Sequence, residues 1–237
     1  MHEIDLVVLD LAGTTVEDKG QVAAAFTAAL AEYGITVTPE QVSAVRGASK
    51  RQAIARLVAA HESPLAPDRV EAAYAAFLRH LGRLYAGSGQ AVPGAEGVVA
   101  WMRERGVRVA LNTGFDRDTT DLLVRALGWR DAVDAVVCVD DVPQGRPAPY
   151  LIFRAMELTA TTSVHRVASV GDTALDLQAG HNAGVRFNVG VLSGAHTRAR
   201  LSTEPHTHLL SSVAELPTLW SLGESVPGAI AAPPGAA

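Results

Sequence analysis

The sequence predicts an α/β protein, with a doubly wound parallel sheet and a helical cap domain inserted after the first strand. Short apolar runs alternate with helical patterns from residue 91 onward, which is typical of a parallel sheet covered by helices. Between residues 17 and 90 only helical patterns occur. We therefore expect a core domain of residues 1–16 and 91–222, a cap domain of residues 17–90, and a flexible tail of residues 223–237.

The first strand and the cap have distinct signals. Residues 4–9 (IDLVVL) form a short run rich in β-branched residues, and the run ends at Asp10. An alanine-rich segment follows, in which apolar residues recur at helical spacing until Gly34. Three further cap helices are predicted, over residues 39–46, 50–61 and 67–85.

The second half of the chain alternates between the two kinds of element. Pro93 and Gly94 mark the return to the core. Helices are predicted over residues 95–105, 117–127, 148–158 and 173–182. Strands are predicted over residues 107–111, 135–139, 167–170 and 185–189, with an edge strand near His206 and His208.

Composition excludes several classes of function. The net charge of -5 is unlike the basic surface that nucleic-acid binding needs, and no apolar stretch is long enough to cross a membrane. The N-terminus has no signal-peptide pattern, and a single cysteine, Cys138, cannot form an internal disulfide. We expect a cytoplasmic enzyme, and we expect Cys138 to be a buried, inert thiol within a strand.

Acidic and polar residues follow four of the predicted strands. They are Asp10, the Asn112-Thr113-Gly114 segment, the Asp140-Asp141 pair and Asp172. The carboxyl ends of parallel strands form the ligand-binding edge of such sheets. Clustered carboxylates favour a hard cation such as Mg²⁺, and a carboxylate can act as a nucleophile towards phosphorus.

Four motifs resemble those of the haloacid dehalogenase superfamily, and most closely its phosphonatase branch of phosphonoacetaldehyde hydrolases and their relatives. The motifs are DLAGTT (10–15), NTG (112–114), DDVPQGRPAP (140–149) and GDTALD (171–176). The similarity extends to about residue 202, and it implies a Rossmann-like core with an inserted cap. Relatives in this branch often form dimers through their caps, so a homodimer stays open as an expectation.

The resemblance implies a role for each matching residue. Asp10 is the nucleophile and a metal ligand, and Ala12 offers its backbone carbonyl to Mg²⁺. Asp172 is a metal ligand, and Asp176 binds the metal through water or supports a ligand. Thr113 and Gly114 bind phosphate, and Arg146 stands where most of the superfamily has lysine. Asp140 and Asp141 are expected to shape the Arg146 loop rather than to bind metal.

Ala12 points to the type of reaction. Phosphatases of this superfamily carry an aspartate at this position, which protonates the leaving oxygen, and alanine cannot do so. A positioned general acid contributes about 10²–10⁴-fold to rate. The sequence therefore favours a reaction that needs no such proton, and cleavage of a carbon–phosphorus bond is one.

Lys50 is the candidate for the carbon chemistry. A lysine that condenses with a carbonyl creates the electron sink that C–P cleavage requires. The Gly47-x-x-Lys50 spacing resembles the phosphonatase pattern around the Schiff-base lysine. The sequence has only two lysines, Lys50 and Lys19, among 20 basic residues, and an amine nucleophile cannot be replaced by a guanidinium. Contact with substrate phosphate, or a surface position, are the alternatives for Lys50.

Two positions depart from the phosphonatase pattern. Arg46 and Ala53 stand where characterised members carry methionine and histidine. The substrate is therefore open to carbonyl-bearing phosphonates other than phosphonoacetaldehyde, and an additional anionic group of the substrate could contact Arg46. Arg46 and Arg51 would lower the pKa of Lys50 if they lie near it. Phe115 is expected to line the cavity facing the cap.

The leading hypothesis is a Mg²⁺-dependent hydrolase of 2-oxoalkylphosphonates that uses Asp10 and Lys50. A phosphomonoesterase acting on small phosphate esters is one alternative. A non-catalytic protein that binds phosphate or phosphonate is another, which Ala12 favours and the remaining motif residues oppose.

Overall fold

The computed structural model describes residues 4–61, 67–85 and 90–221. Within these ranges the chain forms six β-strands and ten α-helices. The strands are β1 Leu6–Asp10, β2 Arg108–Asn112, β3 Ala135–Val137, β4 Val167–Gly171, β5 Phe187–Val191 and β6 His208–Leu210. The helices are α1 Gln21–Ala31, α2 Pro39–Ala44, α3 Lys50–Ala59, α4 Pro67–Tyr85, α5 Ala95–Glu104, α6 Arg117–Ala126, α7 Tyr150–Leu158, α8 Ala174–Ala183, α9 Arg198–Leu201 and α10 Leu216–Ser221.

The sheet has the order β3-β2-β1-β4-β5-β6, and all of its strand pairs are parallel. The chain runs from β1 to one edge and then crosses back to β4 on the other side of β1. The strand order therefore reverses between β1 and β4, which is where ligands bind in open sheets of this kind. Asp10 ends β1 and Asp172 follows β4, so both stand at this position. The predicted doubly wound sheet is confirmed.

Both faces of the sheet are covered, which explains why β1 is apolar throughout. Leu6 and Val8 pack with residues of α7 on one face. Val7 and Leu9 point to the other face and join the main core, which includes residues of α5. Alternate side chains of a strand point to opposite faces, so a strand buried on both sides needs a continuous apolar run.

Helices α1 to α4 lie between β1 and α5 in the chain. Helix α1 packs along α4, and the rings of Phe26 and Phe77 lie 4.5 Å apart at this contact. The segments that enter and leave the helical region run side by side. The Glu17 amide donates to the Gln90 carbonyl (2.8 Å), and the Val92 amide donates to the Thr15 carbonyl (2.9 Å).

Some predicted boundaries were wrong. Strand β3 ends at Val137, because a short 3₁₀ helix begins at Val139, and Cys138 lies just beyond the strand rather than inside it. Burial raises the pKa of the Cys138 thiol to about 11, which agrees with an inert group. β5 begins and ends two residues later than predicted. The predicted tail of residues 223–237 lies outside the described residues.

No helix in the described ranges has both the length and the apolar character needed to span a bilayer.

Candidate active site

Three carboxylates converge at the carboxyl edge of the sheet. One oxygen from each of Asp10, Asp172 and Asp176 lies within 4.8 Å of the others, and all three residues are buried. Asp176 belongs to the first turn of α8, where its carboxylate accepts from the backbone amide of Thr173 (3.0 Å) in a capping box. The sheet edge and the helix N-terminus together hold the three acids in place.

Arg146 is the counter-ion of two of these acids. Its guanidinium donates to Oδ1 of Asp10 (2.7 Å) and to Oδ1 of Asp176 (2.8 Å), and it also contacts the Asn112 amide oxygen. Asp172 instead accepts from the Ala195 amide at 2.5 Å. Arg146 therefore pairs with two of the three carboxylates, and no cationic side chain of the described residues pairs with Asp172.

The surroundings of these carboxylates change their pKa values. Burial raises the pKa of Asp10 to about 6, although Arg146 acts in the opposite direction. Burial also raises the pKa of Asp172, and the neighbouring charges of Asp10 and Asp176 add to that effect. In both residues burial is the main cause of the raised pKa, and the neighbouring carboxylates add to it. The donor set is all-oxygen, which suits a hard divalent cation.

The turn after β2 faces the acids. Thr113 is buried, and its hydroxyl accepts a hydrogen bond from the Phe115 amide (3.2 Å). The Gly114 carbonyl accepts from the backbone amide of Lys50 at 3.3 Å, so this turn directly contacts the start of α3. The Phe115 ring lies beneath the lysine, 4.7 Å from Nζ. The turn that carries Gly114, one of the two residues predicted to bind phosphate, therefore contacts the backbone of the predicted Schiff-base lysine.

Lys50 is a buried lysine, with 8% of its surface exposed. It is the first residue of α3, which Ser49 caps, and its Nζ lies 3.4 Å from the Ala48 carbonyl. Burial lowers the pKa of Lys50 to about 8, with Arg46 and Arg146 contributing and Asp10 opposing. A lowered pKa makes the neutral, nucleophilic form of the amine more abundant at neutral pH than it is in an ordinary lysine.

Of the two arginines expected to act on Lys50, only Arg46 does so. Arg51 pairs with Glu71 (2.8 Å) and stacks over Tyr74, so its charge is directed away from the lysine. The condition on which the effect of Arg51 depended, nearness to the Lys50 amine, is not met, because residues adjacent in a helix point in different directions.

Arg46 has a partner that the sequence did not indicate. Its guanidinium pairs with Asp18, whose side chain is fully buried and also accepts from the amides of Gly20 (3.1 Å) and Val22 (3.2 Å). The Asp18-x-Gly20 sequence is a turn signal that could have revealed this anchor. The Arg46 charge is therefore already balanced, which weakens its expected contact with an additional anionic group of the substrate.

A single cavity joins these residues. It is lined by Asp10, Ala12, Val22, Arg46, Gly47, Lys50, Thr113, Gly114, Phe115, Arg146, Asp172 and Thr173. Every residue predicted for the site lines this cavity except Asp176. Asp176 instead pairs with Arg146, which does line the cavity. Val22 and Thr173 were not predicted, although the Thr173-x-x-Asp176 capping signal could have identified Thr173.

The cavity is nearly closed. Its volume is about 20 Å³, which holds roughly one water molecule. The turn that carries Arg46 and the start of α3, which carries Lys50, must therefore move away from the sheet edge to admit a substrate. A groove of about 390 Å³ lies elsewhere, between α5 and Trp129, but it lacks buried charges.

Asp140 and Asp141 lie outside the acid cluster. Asp140 accepts from the Arg117 backbone amide (2.9 Å), and Asp141 pairs with the Arg117 side chain. These contacts tie the 3₁₀ helix after β3 to the start of α6. That the two acids shape the Arg146 loop rather than bind metal stays a prediction.

The closed cavity leaves no space for a side chain at Gly114. A substitution at this position therefore tests whether the contact between the turn after β2 and the segment before α3 is needed for activity. A Cβ at this position would lie 2.7 Å from the Ala48 carbonyl oxygen, a backbone atom. We expect Gly114→Ala to lower kcat/KM at least about tenfold, because the alanine holds α3 away from the phosphate-binding turn.

Gly82→Ala in α4 is the matched control, since nothing lies near its Cβ. It should keep full activity and gain up to about 1 kcal/mol of stability. Equal kinetics for the two variants would show that this contact is not needed.

Comparisons with known proteins agree with this geometry. Residues 4–184 match the family of haloacid dehalogenase-like hydrolases. The chain is similar to the phosphonoacetaldehyde hydrolase of Bacteroides fragilis, with 33% identity over 231 residues, covering 91% of this chain and 85% of that protein. It is also similar to the enzyme of the same name from Paraburkholderia phytofirmans, with 28% identity, covering 81% of this chain and 76% of that protein.

Solved structures share the fold. A phosphonoacetaldehyde hydrolase-like protein from Oleispira antarctica superposes with a TM-score of 0.83 at 22% identity, covering 92% of both chains. A predicted phosphoglycolate phosphatase from Haemophilus somnus superposes with a TM-score of 0.78 at 18% identity, covering 93% of this chain and 99% of that one. At these identities the likeness concerns the fold alone.

Proposed function

Because the chain belongs to the haloacid dehalogenase-like hydrolase family, we propose that it hydrolyses the carbon–phosphorus bond of a 2-oxoalkylphosphonate, phosphonoacetaldehyde or a close relative. The observation that carries this proposal is the buried Lys50, whose pKa is lowered to about 8, in the same cavity as Asp10. Ala12 lines that cavity and offers no proton to a leaving oxygen. The names of the curated relatives support the same reaction.

The acid cluster fits Mg²⁺. The residues that would hold it are Asp10, Asp172 and the backbone carbonyl of Ala12, with Asp176 held close by Arg146. When bound, the ion would neutralise the phosphoryl oxygens and the excess negative charge of the acids. The raised pKa of Asp172 is the observation of this structure that fits such an ion, since no side-chain cation pairs with that carboxylate in the described ranges.

The phosphoryl end of the substrate meets the core. Thr113 and the Gly114 amide, which line the cavity, would hold its oxygens, and Arg146, which pairs with Asp10, would position the carboxylate. An Asp10 oxygen attacks phosphorus, and the carbon–phosphorus bond breaks on the opposite side. The product is an aspartyl phosphate, which water hydrolyses to phosphate and free Asp10.

The carbonyl end meets α3. The neutral Lys50 amine adds to the carbonyl carbon, and loss of water gives an iminium ion. When the carbon–phosphorus bond breaks, its electron pair enters the iminium system and forms an enamine. Protonation of the enamine at carbon, followed by hydrolysis, releases the carbonyl product and the free amine. Helix α3 thus supplies the electron sink, and the sheet supplies the phosphoryl acceptor.

Phosphate release is the direct test. We expect release from phosphonoacetaldehyde with Mg²⁺ at a kcat/KM well above that for small phosphate esters such as phosphoglycolate. The reverse preference would favour a phosphomonoesterase in which another group replaces Ala12. Mg²⁺-dependent binding of these compounds without turnover would favour a binding protein.

The pKa of Lys50 gives a pH prediction. Since the neutral amine is the reactive form, trapping of the iminium should increase as the pH rises through about 8 and then level off. An ordinary lysine would continue to gain reactivity up to about pH 10. The measurement is cyanoborohydride reduction in the presence of phosphonoacetaldehyde, with the modified Lys50 peptide counted by mass spectrometry. Free Nα-acetyl-lysine, treated in parallel, is the control. Identical profiles for Lys50 and this free lysine would contradict the prediction.

A further inference from the structure

His196 lies in the loop between β5 and α9 and contacts both the core and the cap. Its Nδ1 accepts from the Ala174 amide at the start of α8 (3.0 Å), and its Nε2 lies 3.4 Å from the Ser43 carbonyl oxygen in α2. The Ser43 carbonyl also accepts from the Arg46 amide (3.2 Å). His196, which is buried, therefore connects the core to the turn that carries Arg46.

The loop that carries His196 is anchored to the acid cluster. The Ser193 hydroxyl donates to the Gly13 carbonyl (2.7 Å), and the Ala195 amide donates to the Asp172 carboxylate (2.5 Å). These bonds tie the loop to the turn after β1 and to the end of β4. The imidazole of His196 thus extends towards the cap from a part of the core that the catalytic residues share.

His196 stands where the closed cavity borders open space. A groove of about 470 Å³ lies between α2 and the start of α8, and His196 lines it. Arg46 lines both this groove and the catalytic cavity. Gly47 packs so closely on the start of α8 that a Cβ there would clash with the Thr173 hydroxyl. Lifting this turn from α8 would join the groove to the cavity and open a route for the substrate.

The two hydrogen bonds of His196 require a neutral ring with its proton on Nε2. The Ala174 amide can only donate, so Nδ1 must be unprotonated, and the Ser43 carbonyl can only accept, so Nε2 must carry the hydrogen. Burial lowers the pKa of His196, although the Ser43 bond acts in the opposite direction. The neutral ring therefore dominates at neutral pH, where both bonds can form.

We propose that His196 is a positioning residue that holds the cap closed, so that Lys50 and Asp10 share one cavity. Lys50 follows the turn at Arg46 by four residues, and a shift of this turn would carry the start of α3 with it. This inference rests on the proposed function for its substrate, but closure itself can be measured without one. His196 lies outside the four motifs and does not line the catalytic cavity, so it acts through the cap alone.

Two substitutions of His196 separate its bond to the core from its bond to the cap. Asparagine can place its amide oxygen where Nδ1 accepts from Ala174, but it is too short to reach Ser43. Glutamine can reach Ser43 with its amide nitrogen, but it leaves no acceptor at Ala174. The two variants therefore remove one bond each.

We expect His196→Asn to raise KM for phosphonoacetaldehyde about fivefold at a nearly unchanged kcat. Loss of one hydrogen bond shifts the closure equilibrium by about that factor, and closure contributes to the apparent affinity. The unfolding temperature of this variant should stay near that of the wild type. His196→Gln should show the opposite pattern, with a KM near that of the wild type and a lower unfolding temperature, because a buried amide loses its acceptor.

The accessibility of Lys50 measures closure directly and without substrate. Trinitrobenzenesulfonate reacts with neutral amines and is much larger than a cavity that holds about one water molecule, so it reaches Lys50 only when the cap opens. We expect the modification rate of Lys50, counted by mass spectrometry of its peptide, to rise about fivefold in His196→Asn and to stay near the wild-type rate in His196→Gln.

His165→Asn is the matched control. His165 is exposed and precedes β4, at the opposite end of that strand from the acids. This substitution makes the same change of residue type away from the contact between cap and core. It should alter neither KM nor the modification rate of Lys50.

The outcomes distinguish this inference from the proposed function. Absence of phosphate release by the wild type would reject the proposed function, and the modification rates of Lys50 would then decide the role of His196 alone. Faster modification in His196→Asn is required in either case, so an unchanged rate would overturn the role. A fall in kcat at unchanged KM would also overturn it, because His196 would then act on the chemical step rather than on closure.

Discussion

Replacing Lys50 by arginine is expected to abolish carbon–phosphorus cleavage, with a loss in kcat of at least about 10⁴-fold. Arginine keeps the positive charge next to Asp10 but cannot form an iminium, because its guanidinium stays protonated. The bond-breaking electrons then have no acceptor. A lysine that only contacted phosphate would lose far less, since arginine binds phosphate well.

Two readouts keep this test interpretable. Lys50 is buried against Phe115, so the larger arginine can disturb packing, and the unfolding temperature must be measured with the kinetics. Lys50→Met has a similar length and no charge, and it should be equally inactive. Competitive inhibition by inorganic phosphate should persist in both variants. Substantial turnover by Lys50→Arg would exclude the Schiff-base route.

Replacing Asp10 by asparagine is expected to be comparably severe, with a loss of about 10⁴-fold or more, because the amide oxygen is a poor nucleophile towards phosphorus. The metal-free fold should tolerate the change. Burial raises the pKa of Asp10 to about 6, so above that pH the ionised acid destabilises the folded state, whereas asparagine keeps an oxygen for Arg146. We expect an unfolding temperature at pH 7 no lower than that of the wild type.

Asp10→Asn and Lys50→Arg should also differ in whether the iminium with the substrate can still form. Asp10→Asn keeps Lys50, so cyanoborohydride should still reduce an iminium formed with phosphonoacetaldehyde. Lys50→Arg should show no such reduction at position 50. If Asp10→Asn retained near-normal phosphate release, another residue would have to be the phosphoryl acceptor.

Much of the site could be predicted from the sequence because it follows strand ends. Asp10, Thr113 and Asp172 come after apolar runs whose parallel alignment is a property of the fold class, so their meeting at one edge required no side-chain detail. Lys50 was recognised through its spacing from Gly47 and the scarcity of lysine. Its burial against Phe115 gives this prediction its physical basis.

The remaining features depend on contacts between distant segments. The pairing of Asp18 with Arg46 joins residues 28 positions apart, and no periodicity in the sequence marks it. The orientation of Arg51 towards Glu71 depends on the packing of α3 against α4.

The burial of Lys50 has a consequence for the protein in a cell that contains reactive aldehydes and sugars. An amine with a pKa near 8 would be the first target for glycation and adventitious adducts if it stood on the surface. Here the space beside it holds about one water molecule, whereas the other lysine, Lys19, is largely exposed but pairs with Glu17. Lys19, which does not line the cavity, is therefore the more accessible of the two lysines to stray carbonyl compounds.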